Sequence, residues 1–256
     1  MAIVNTIKIR NFKAFLLIAE ITNLFLDALF PKRCFVCNGL GSWFCLSCRT
    51  KLPHRHLYQC LVCGHFDYWQ QVCFECGDKQ LDNLIAAFDY KLEPIAKGLK
   101  ACKYHFASSV GRELGELLTE YWLIWRKERA QSVNQPRWFN SDLLIIPLPL
   151  TSRRARFRGF NQSEILAEAL KTATGYELDK HGLIRQHFKK AQAELPAVER
   201  RANISNAFKW VGESLQGRNI LLIDDVATTG STLIAAGKAL KIGGAGKVIA
   251  LVLAHG

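Results

Sequence analysis

The sequence predicts an α/β domain with a largely parallel sheet, preceded by a small cysteine-rich module. Three observations carry this prediction. Eight of the nine cysteines lie in four CxxC pairs within 43 residues. Beyond Asp82 the chain alternates strand-like and helix-like segments, which is the pattern of a parallel sheet with helices on its faces. One of these strands ends in two adjacent acids and is followed by a Thr/Gly/Ser loop. With 256 residues, the chain is long enough for one ordinary domain and a small appended module.

The first segment of the chain predicts an amphipathic helix within residues 1–30. Its apolar face carries Leu17, Ile21, Leu24 and Ala28. Glu20 and Asp27 interrupt the apolar residues, so that no uncharged stretch reaches the roughly 18 residues of a membrane span. The segment also lacks the cleavage site of small residues that a secretory signal requires. We therefore expect a cytoplasmic protein whose first helix packs on the next module, with contact at the inner membrane surface as the alternative.

Four CxxC pairs define a second region, residues 31–80. The pairs are Cys34/Cys37, Cys45/Cys48, Cys60/Cys63 and Cys73/Cys76. Each pair can turn two thiolates toward one point, and a tetrahedral zinc site requires two such pairs. The region therefore predicts a double zinc ribbon with two structural zinc sites, formed by pairs adjacent in the sequence or by an interleaved arrangement. Closed sites of this kind leave no position for a substrate, so we expect them to support folding and not catalysis.

A disulfide framework and a redox-active CxxC motif are the alternatives to zinc. Disulfides require an oxidising compartment, which the first segment of the chain does not indicate. A redox-active CxxC motif accompanies a βαβ unit, whereas the four pairs here lie in a segment with little strand or helix patterning. The ninth cysteine, Cys102, lies in a lysine-rich helical stretch, which predicts packing and not metal binding.

The alternation past Asp82 predicts the individual elements of an α/β domain over residues 81–256. The predicted strands are residues 84–90, 143–148, 207–211, 220–224 and 247–253. The predicted helices are residues 94–103, 110–129, 162–174 and 231–242. Residues 130–140 are polar and contain Pro136, so they predict a surface loop.

The strand at residues 220–224 leads into the most informative stretch of the chain. Asp224 and Asp225 lie at its carboxyl end, the edge at which open α/β sheets bind their ligands. The loop and helix start that follow contain Thr228, Thr229, Gly230, Ser231 and Thr232. Their N–H groups and hydroxyls suit a phosphate, and adjacent carboxylates can accept hydrogen bonds from two ribose hydroxyls. The simpler alternative, an ordinary helix start, leaves the cost of two adjacent like charges without an explanation.

The net charge of +12 points to a polyanionic partner. Residues 151–218 carry 13 basic and 7 acidic residues, which is half of the excess. Arg153, Arg154, Arg156 and Arg158 lie within a run of six residues in this stretch. A polyanion site is therefore expected there, and a solvated basic loop is the alternative.

These motifs together resemble type I phosphoribosyltransferases and, more specifically, the ComF family of competence-associated proteins. The strand, the two acids and the loop are similar to the phosphoribosyl pyrophosphate motif of the transferases. The features similar to the ComF family are the strand and turn at residues 146–151, the loop RGFNQ at residues 158–162, a helix end with Leu99, Lys100, Lys103 and Tyr104, a segment with Gln192, Arg200, Arg201 and Asn203, and the CxxC pairs. The resemblance spans nearly the whole chain, and its motifs are specific in combination.

The resemblance implies a zinc-ribbon module followed by a phosphoribosyltransferase-like fold, in a protein needed for the uptake or use of external DNA. Asp224 and Asp225 would hold the ribose hydroxyls of phosphoribosyl pyrophosphate, directly or through Mg²⁺, and residues 228–232 would hold its 5-phosphate. The arginine run would bind the pyrophosphate. Lys189 and Lys190 lie in a polar stretch that suits a mobile hood over the site, with a plain surface loop as the alternative. Purine-specific relatives have an aspartate at the position of Thr228, and a threonine is no general base near neutral pH. Purine salvage is therefore disfavoured, and the sequence identifies no other acceptor for a phosphoribosyl transfer.

Two other classes of function remain open from the sequence. The arginine run, with Phe157 and Phe160 as stacking platforms, would bind single-stranded DNA, although both phenylalanines fit a core position equally well. In the scaffold alternative, the first helix and the cysteine module dock a DNA-uptake helicase or channel. The two acids favour a sugar phosphate, whereas the arginine run fits either ligand.

Overall fold

The structure is a computed structural model that describes residues 31–55, 65, 80–104, 107–132, 135–151, 156–186 and 207–256. The chain divides into two compact units, Met1–Lys51 and Leu52–Gly256. The predicted first helix lies outside the described residues, as do the cysteine pairs Cys60/Cys63 and Cys73/Cys76. No helix within the described ranges has the length and apolar character needed to cross a membrane.

The described part of the first unit, residues 31–51, is a small cysteine-rich fold. It contains one turn of helix, α1 (Leu46–Arg49). The ring of Phe35 lies with its centroid 5.4 Å from those of Trp43 and Phe44, and the latter two side chains are buried. A core of this size is too small to support a fold by burial alone, so that a further stabilising element such as a bound metal is expected.

The second unit is an α/β fold, as the sequence predicts. Its strands are β1 (Asn83–Asp89), β2 (Leu143–Pro147), β3 (Leu183–Arg185), β4 (Phe208–Trp210), β5 (Asn219–Ala227) and β6 (Val248–His255). Its longer helices are α2 (Glu93–Tyr104), α3 (Ala107–Arg129), α4 (Gln162–Thr174) and α5 (Ser231–Ile242), and a 3-10 turn covers Arg137–Asn140. Four strands form one parallel sheet in the order β1-β6-β5-β2.

The parallel sheet is buried on both faces. Leu222 of β5 belongs to one apolar cluster with Leu233 and Leu240 of α5. Leu221 and Ile223 alternate with it along the strand, point to the opposite face and are fully buried as well. The helix α4 packs on β5 and β2. The carboxyl ends of these strands are therefore held by a packed sheet. The predicted site residues begin at these strand ends.

Two strands differ from their predictions by more than two residues at an end or by the sheet they join. β5 continues through both acids to Ala227, three residues beyond the predicted end at Asp224, because β6 pairs with it as far as His255. The predicted strand at residues 207–211 forms as β4, but it pairs antiparallel with β3 outside the parallel sheet. The sheet is thus parallel throughout its four strands, with a separate two-stranded sheet beside it.

The segment of residues 130–140 is partly buried. The prediction of a surface loop is therefore wrong for the second half of this segment. Trp138 and Phe139 lie in the 3-10 turn and are only 4% and 2% exposed. Their ring centroids lie 6.2 and 6.0 Å from that of Trp125 on α3. The apolar area of these rings places the turn in the core despite its polar neighbours.

Candidate ligand site and cysteine cluster

The two acids lie on β5 just beyond the end of its pairing with β2. The last pair between these strands joins Pro147 with Ile223. The amino end of α4 approaches β5 at the next position, where Ser163 Oγ donates to Asp224 Oδ1 at 2.9 Å. The backbone N–H of Asp225 donates to the same oxygen at 2.8 Å. Both hydrogen bonds fix the Asp224 carboxyl in one orientation.

The Asp224 carboxyl is difficult to ionise in this position. Burial, and next the charge of the adjacent Asp225, raises its pKa to about 7, against the opposing effect of its two hydrogen bonds. A cation or several hydroxyl donors at this position would stabilise the charged form. The pair of acids is therefore chemically suited to a metal ion or to a polyol such as ribose.

A lysine from another part of the chain lies against this pair. Lys103, in the last turn of α2, places Nζ 3.3 Å from Asp225 Oδ2, and the two side chains are 24% and 17% exposed. The preceding residue, Cys102, is buried, as its predicted packing role requires. The pKa of its thiol is raised to about 11, first by burial and then by the charge of Asp225, while Lys103 and Arg158 act in the opposite direction. All three charged groups therefore lie near this thiol.

The predicted phosphate loop connects β5 with α5. Gly230 has a left-handed backbone conformation, with φ at 71°, and supplies no side-chain cap to the helix that follows it, although the N–H of Ser231 donates to Thr229 Oγ1 at 3.4 Å. Thr228, Thr229 and Ser231 are exposed, and Thr232 is partly exposed. The hydroxyls of Thr229 and Ser231 lie 3.1 Å apart. The other N–H groups of the first turn, beside several hydroxyls, form an end of the helix that favours an anion.

The motif at residues 158–162 leads into the amino end of α4. Asn161 caps this helix by accepting from the N–H of Ser163, and its amide group donates to the carbonyl just after β2 at 3.1 Å. Arg158 Nη1 donates to Gln162 Oε1 at 3.0 Å. Gln162 is 4% exposed, and its side-chain nitrogen is buried without an acceptor in the described part of the chain. The motif thus places a cation and an unused donor at the amino end of α4, the helix whose Ser163 contacts Asp224.

The structure describes two members of the arginine run. Arg156 is exposed, and Arg158 is partly exposed. The other predicted cationic residues, Arg153, Arg154, Lys189 and Lys190, lie outside the described residues. Phe157 is 79% exposed between the two described arginines, whereas Phe160 is only partly exposed. Phe157 is therefore not a core residue.

In the first unit, the four thiols of the first two CxxC pairs converge. All sulfur atoms of Cys34, Cys37, Cys45 and Cys48 lie within 4.8 Å of one another, and none forms a disulfide. The sulfurs of Cys37 and Cys45 are 3.7 Å apart. A tetrahedral zinc site with Zn–S bonds of about 2.3 Å has an edge of about 3.8 Å. The cluster can therefore hold one zinc ion, and it joins pairs that are adjacent in the sequence.

Hydrogen bonds and the closeness of the other thiols change the pKa values of these cysteines. Cys34 Sγ accepts from the N–H of Cys45 at 3.5 Å, and Cys37 Sγ accepts from the N–H of Gly39 at 3.4 Å. The Ser47 hydroxyl is the main cause that lowers the pKa of Cys45 to about 6. The pKa of Cys48 is raised to about 12, first by its hydrogen bond with Cys45. Because neighbouring thiolates repel one another, a divalent cation is needed to stabilise all four in the charged form.

Sequence reasoning did not identify Ser163, Gln162 and Lys103 as neighbours of the acids. Gln162 and Lys103 belong to motifs that resemble the ComF family, and this resemblance is the signal that points to them. Ser163 lies 61 residues from its partner Asp224, a separation for which no spacing rule exists. The fold alone brings these three side chains to one edge of the sheet.

Comparison with known proteins gives matches along most of the chain. A family model described as a phosphoribosyl transferase domain matches residues 184–256, the span that includes β5, the phosphate loop and α5. DNA utilization protein YhgH of Escherichia coli O157:H7 is 29% identical over 85% of this chain and 94% of its own. Competence protein F of Haemophilus influenzae is 28% identical over 83% of this chain and 92% of its own. Competence protein ComFC of Bacillus subtilis is 29% identical over 77% of each chain.

The predicted fold class is confirmed by the parallel α/β sheet, the transferase match and the cysteine cluster. Each match extends over more than three quarters of the chain. The similarity to the competence-associated ComF family, which the sequence motifs indicate, is thereby confirmed over most of the chain.

Proposed function

We propose that the protein binds phosphoribosyl pyrophosphate, or a related ribose phosphate, together with Mg²⁺, and acts in the uptake or use of external DNA. One observation carries the proposal: two adjacent acids and the amino end of α5, which follows Gly230, lie together at the carboxyl end of β5. The transferase match covers this same segment. The names of the relatives, a DNA utilization protein and two competence proteins, support the biological setting.

In this proposal the acids and the loop bind the two halves of a ribose 5-phosphate. Carboxylates are strong acceptors, so Asp224 and Asp225 accept hydrogen bonds from the two ribose hydroxyls. The N–H groups at the start of α5 and the hydroxyls of residues 228–232 bind the 5-phosphate. The positive φ of Gly230 favours a residue without a Cβ. The same lack of a Cβ leaves room for a phosphate to approach the backbone closely.

The pyrophosphate lies, in this proposal, against the amino end of α4. Arg158 supplies a cation there, and the buried Gln162 amide nitrogen supplies a donor that the ligand would satisfy. Arg156 and the two arginines before it, Arg153 and Arg154, would add charge from the same run. A guanidinium suits this role because its planar array of donors matches phosphate oxygens.

The donor set at the acids fits Mg²⁺. This ion prefers carboxylate and phosphate oxygens and retains several waters, which a pair of partly exposed carboxylates and a pyrophosphate would provide. Asp224 and Asp225 would hold it, directly or through the ribose hydroxyls. When bound, Mg²⁺ would neutralise part of the pyrophosphate charge.

The proposal concerns binding and assigns no acceptor. Residues 228–232 offer hydroxyls but no carboxylate or imidazole, so the loop supplies no general base near neutral pH. Purine salvage is disfavoured for this reason.

A calorimetric titration of the full chain with phosphoribosyl pyrophosphate tests the proposal. We expect saturable binding with one ligand per chain in the presence of Mg²⁺, and much weaker binding when Mg²⁺ is withheld. The metal is withheld and not chelated, since a chelator would also strip zinc from the cysteine cluster. Pyrophosphate and ribose 5-phosphate are each expected to compete. An absence of binding at millimolar ligand, or binding that ignores Mg²⁺, would contradict the proposal.

Binding of single-stranded DNA is a second candidate function, and the exposure of Phe157 favours it. This ring is 79% exposed and lies between Arg156 and Arg158 in the sequence, so that a base could stack on it while the arginines contact the backbone.

Replacing Phe157 with alanine tests this second function. The affinity for a fluorescent oligothymidylate is expected to fall about tenfold, because stacking contributes about 1–3 kcal/mol per base. Anisotropy titrations at several salt concentrations are also expected to show a steep decline in affinity with salt. Ile242→Ala, which removes an apolar side chain that is 78% exposed at the end of α5, serves as the control. Equal affinities for Phe157→Ala and wild type would argue against a stacking role.

A further inference from the structure

We infer that Lys103 determines the specificity of the proposed site: it occupies the acid pair as an internal cation and makes the site select a metal-bound polyanion over a free metal ion. The inference rests on the proposed function and assigns a role to a residue outside its binding segments.

The geometry places the lysine where a bound cation would lie. Nζ of Lys103 is 3.3 Å from Asp225 Oδ2, and both side chains are mostly shielded from solvent. The neighbouring carboxyl of Asp224 is engaged at Oδ1 by Ser163 and by the N–H of Asp225. The ammonium lies instead on the carboxylate of Asp225, which neither of these hydrogen bonds involves. A metal ion that binds Asp225 Oδ2 has to displace it.

The backbone of Lys103 lies in a packed part of the fold. It lies in the last turn of α2, next to the buried Cys102. The charge of Arg158 acts on the same thiol as those of Lys103 and Asp225, so that a second cation lies in the same neighbourhood. A displaced ammonium therefore stays near the site.

Displacement has different consequences for the two kinds of ligand. When free Mg²⁺ takes the place on Asp225, the ammonium loses its partner and remains close to a divalent cation, which is unfavourable. When the metal arrives with a pyrophosphate, the displaced ammonium gains phosphate oxygens as new acceptors. Lys103 thus opposes the free metal ion and favours the complete ligand.

Lys103→Met tests this role, because methionine keeps a long apolar stem and removes the charge. In calorimetric titrations of the full chain we expect the affinity for Mg²⁺ alone to rise about fivefold to tenfold, and the affinity for phosphoribosyl pyrophosphate at saturating Mg²⁺ to fall about tenfold. A damaged fold would weaken both affinities, so the opposite signs identify the specificity role. Lys100→Met removes the same charge from an exposed position on α2 and is expected to change neither affinity.

The outcomes separate this inference from the proposed function. If the wild type binds phosphoribosyl pyrophosphate, but Lys103→Met changes both affinities in the same direction or changes neither, the inference is overturned and the proposed function stands. If the wild type does not bind the ligand, the proposed function is overturned, and the inference falls with it.

Discussion

Replacing Asp225 with asparagine is expected to reduce the affinity for phosphoribosyl pyrophosphate by about 100-fold or more. The amide has the same shape as the carboxylate but carries no charge, so its hydrogen bonds to ribose hydroxyls are weaker and it no longer attracts Mg²⁺. Hydrogen bonds to charged groups contribute about 1.5–3 kcal/mol each, and about 3 kcal/mol corresponds to two orders of magnitude in affinity. Calorimetry at saturating Mg²⁺ measures the change.

The fold should tolerate this substitution. Asp225→Asn removes a like charge beside Asp224, whose pKa is raised partly by that charge, and this gain offsets the loss of the ion pair with Lys103. The unfolding midpoint is therefore expected to stay within a few degrees of the wild-type value. Asp142→Asn is the matched control, since Asp142 is exposed and precedes β2 at the amino end of the sheet. An affinity of Asp225→Asn within threefold of wild type would remove the ribose role that we assign to this acid.

Loss of zinc is expected to unfold the described part of the first unit. We propose two zinc ions per chain, one on Cys34, Cys37, Cys45 and Cys48 and one on the four cysteines that follow, Cys60, Cys63, Cys73 and Cys76. In the double variant Cys37→Ser/Cys45→Ser, the zinc content is expected to fall from about two to about one per chain. Residues 31–51 should then lose protection against hydrogen exchange, because structural zinc contributes about 10 kcal/mol or more of apparent binding free energy and the aromatic core here is small.

Elemental analysis of metal content, together with hydrogen exchange, measures this effect. Cys102→Ser is the control: the thiol is buried in the second unit, and the zinc content should not change. Acidification is expected to release zinc, since the ligating thiolates must be protonated as the pH falls. Wild-type protein without zinc, or a double variant that retains two ions, would contradict the assignment.

Much of the fold follows from signals that lie close together in the sequence. The helices at residues 162–174 and 231–242 have the predicted bounds, because Asn161 caps the first and Gly230 marks the start of the second. The strands of the parallel sheet are apolar runs and were predicted to within three residues. The three-residue strand β3 has no detectable period, so neither it nor the antiparallel pairing of β4 was expected.

The candidate site likewise contains residues that the sequence predicts and residues that only the fold identifies. Asp224, Asp225 and the loop at residues 228–232 are consecutive, and the rule that ligands bind at carboxyl strand ends predicts their role from sequence alone. Ser163 and Lys103 reach the acids from α4 and α2, and only the packed fold brings them there. Burial raises the pKa of Asp224, an effect that a sequence pattern does not report. The side chains that contact the two acids from other helices are therefore a product of tertiary structure.

The most direct test is an experimental structure of the full chain with Mg²⁺ and phosphoribosyl pyrophosphate. We expect the ribose hydroxyls within hydrogen-bond distance of Asp224 and Asp225, or joined to them through Mg²⁺, and the 5-phosphate on the loop at residues 228–232. The pyrophosphate should contact Arg158, and Lys103 should have left Asp225. A ligand bound elsewhere on the protein, or these acids without ligand at saturating concentrations, would contradict the proposed function.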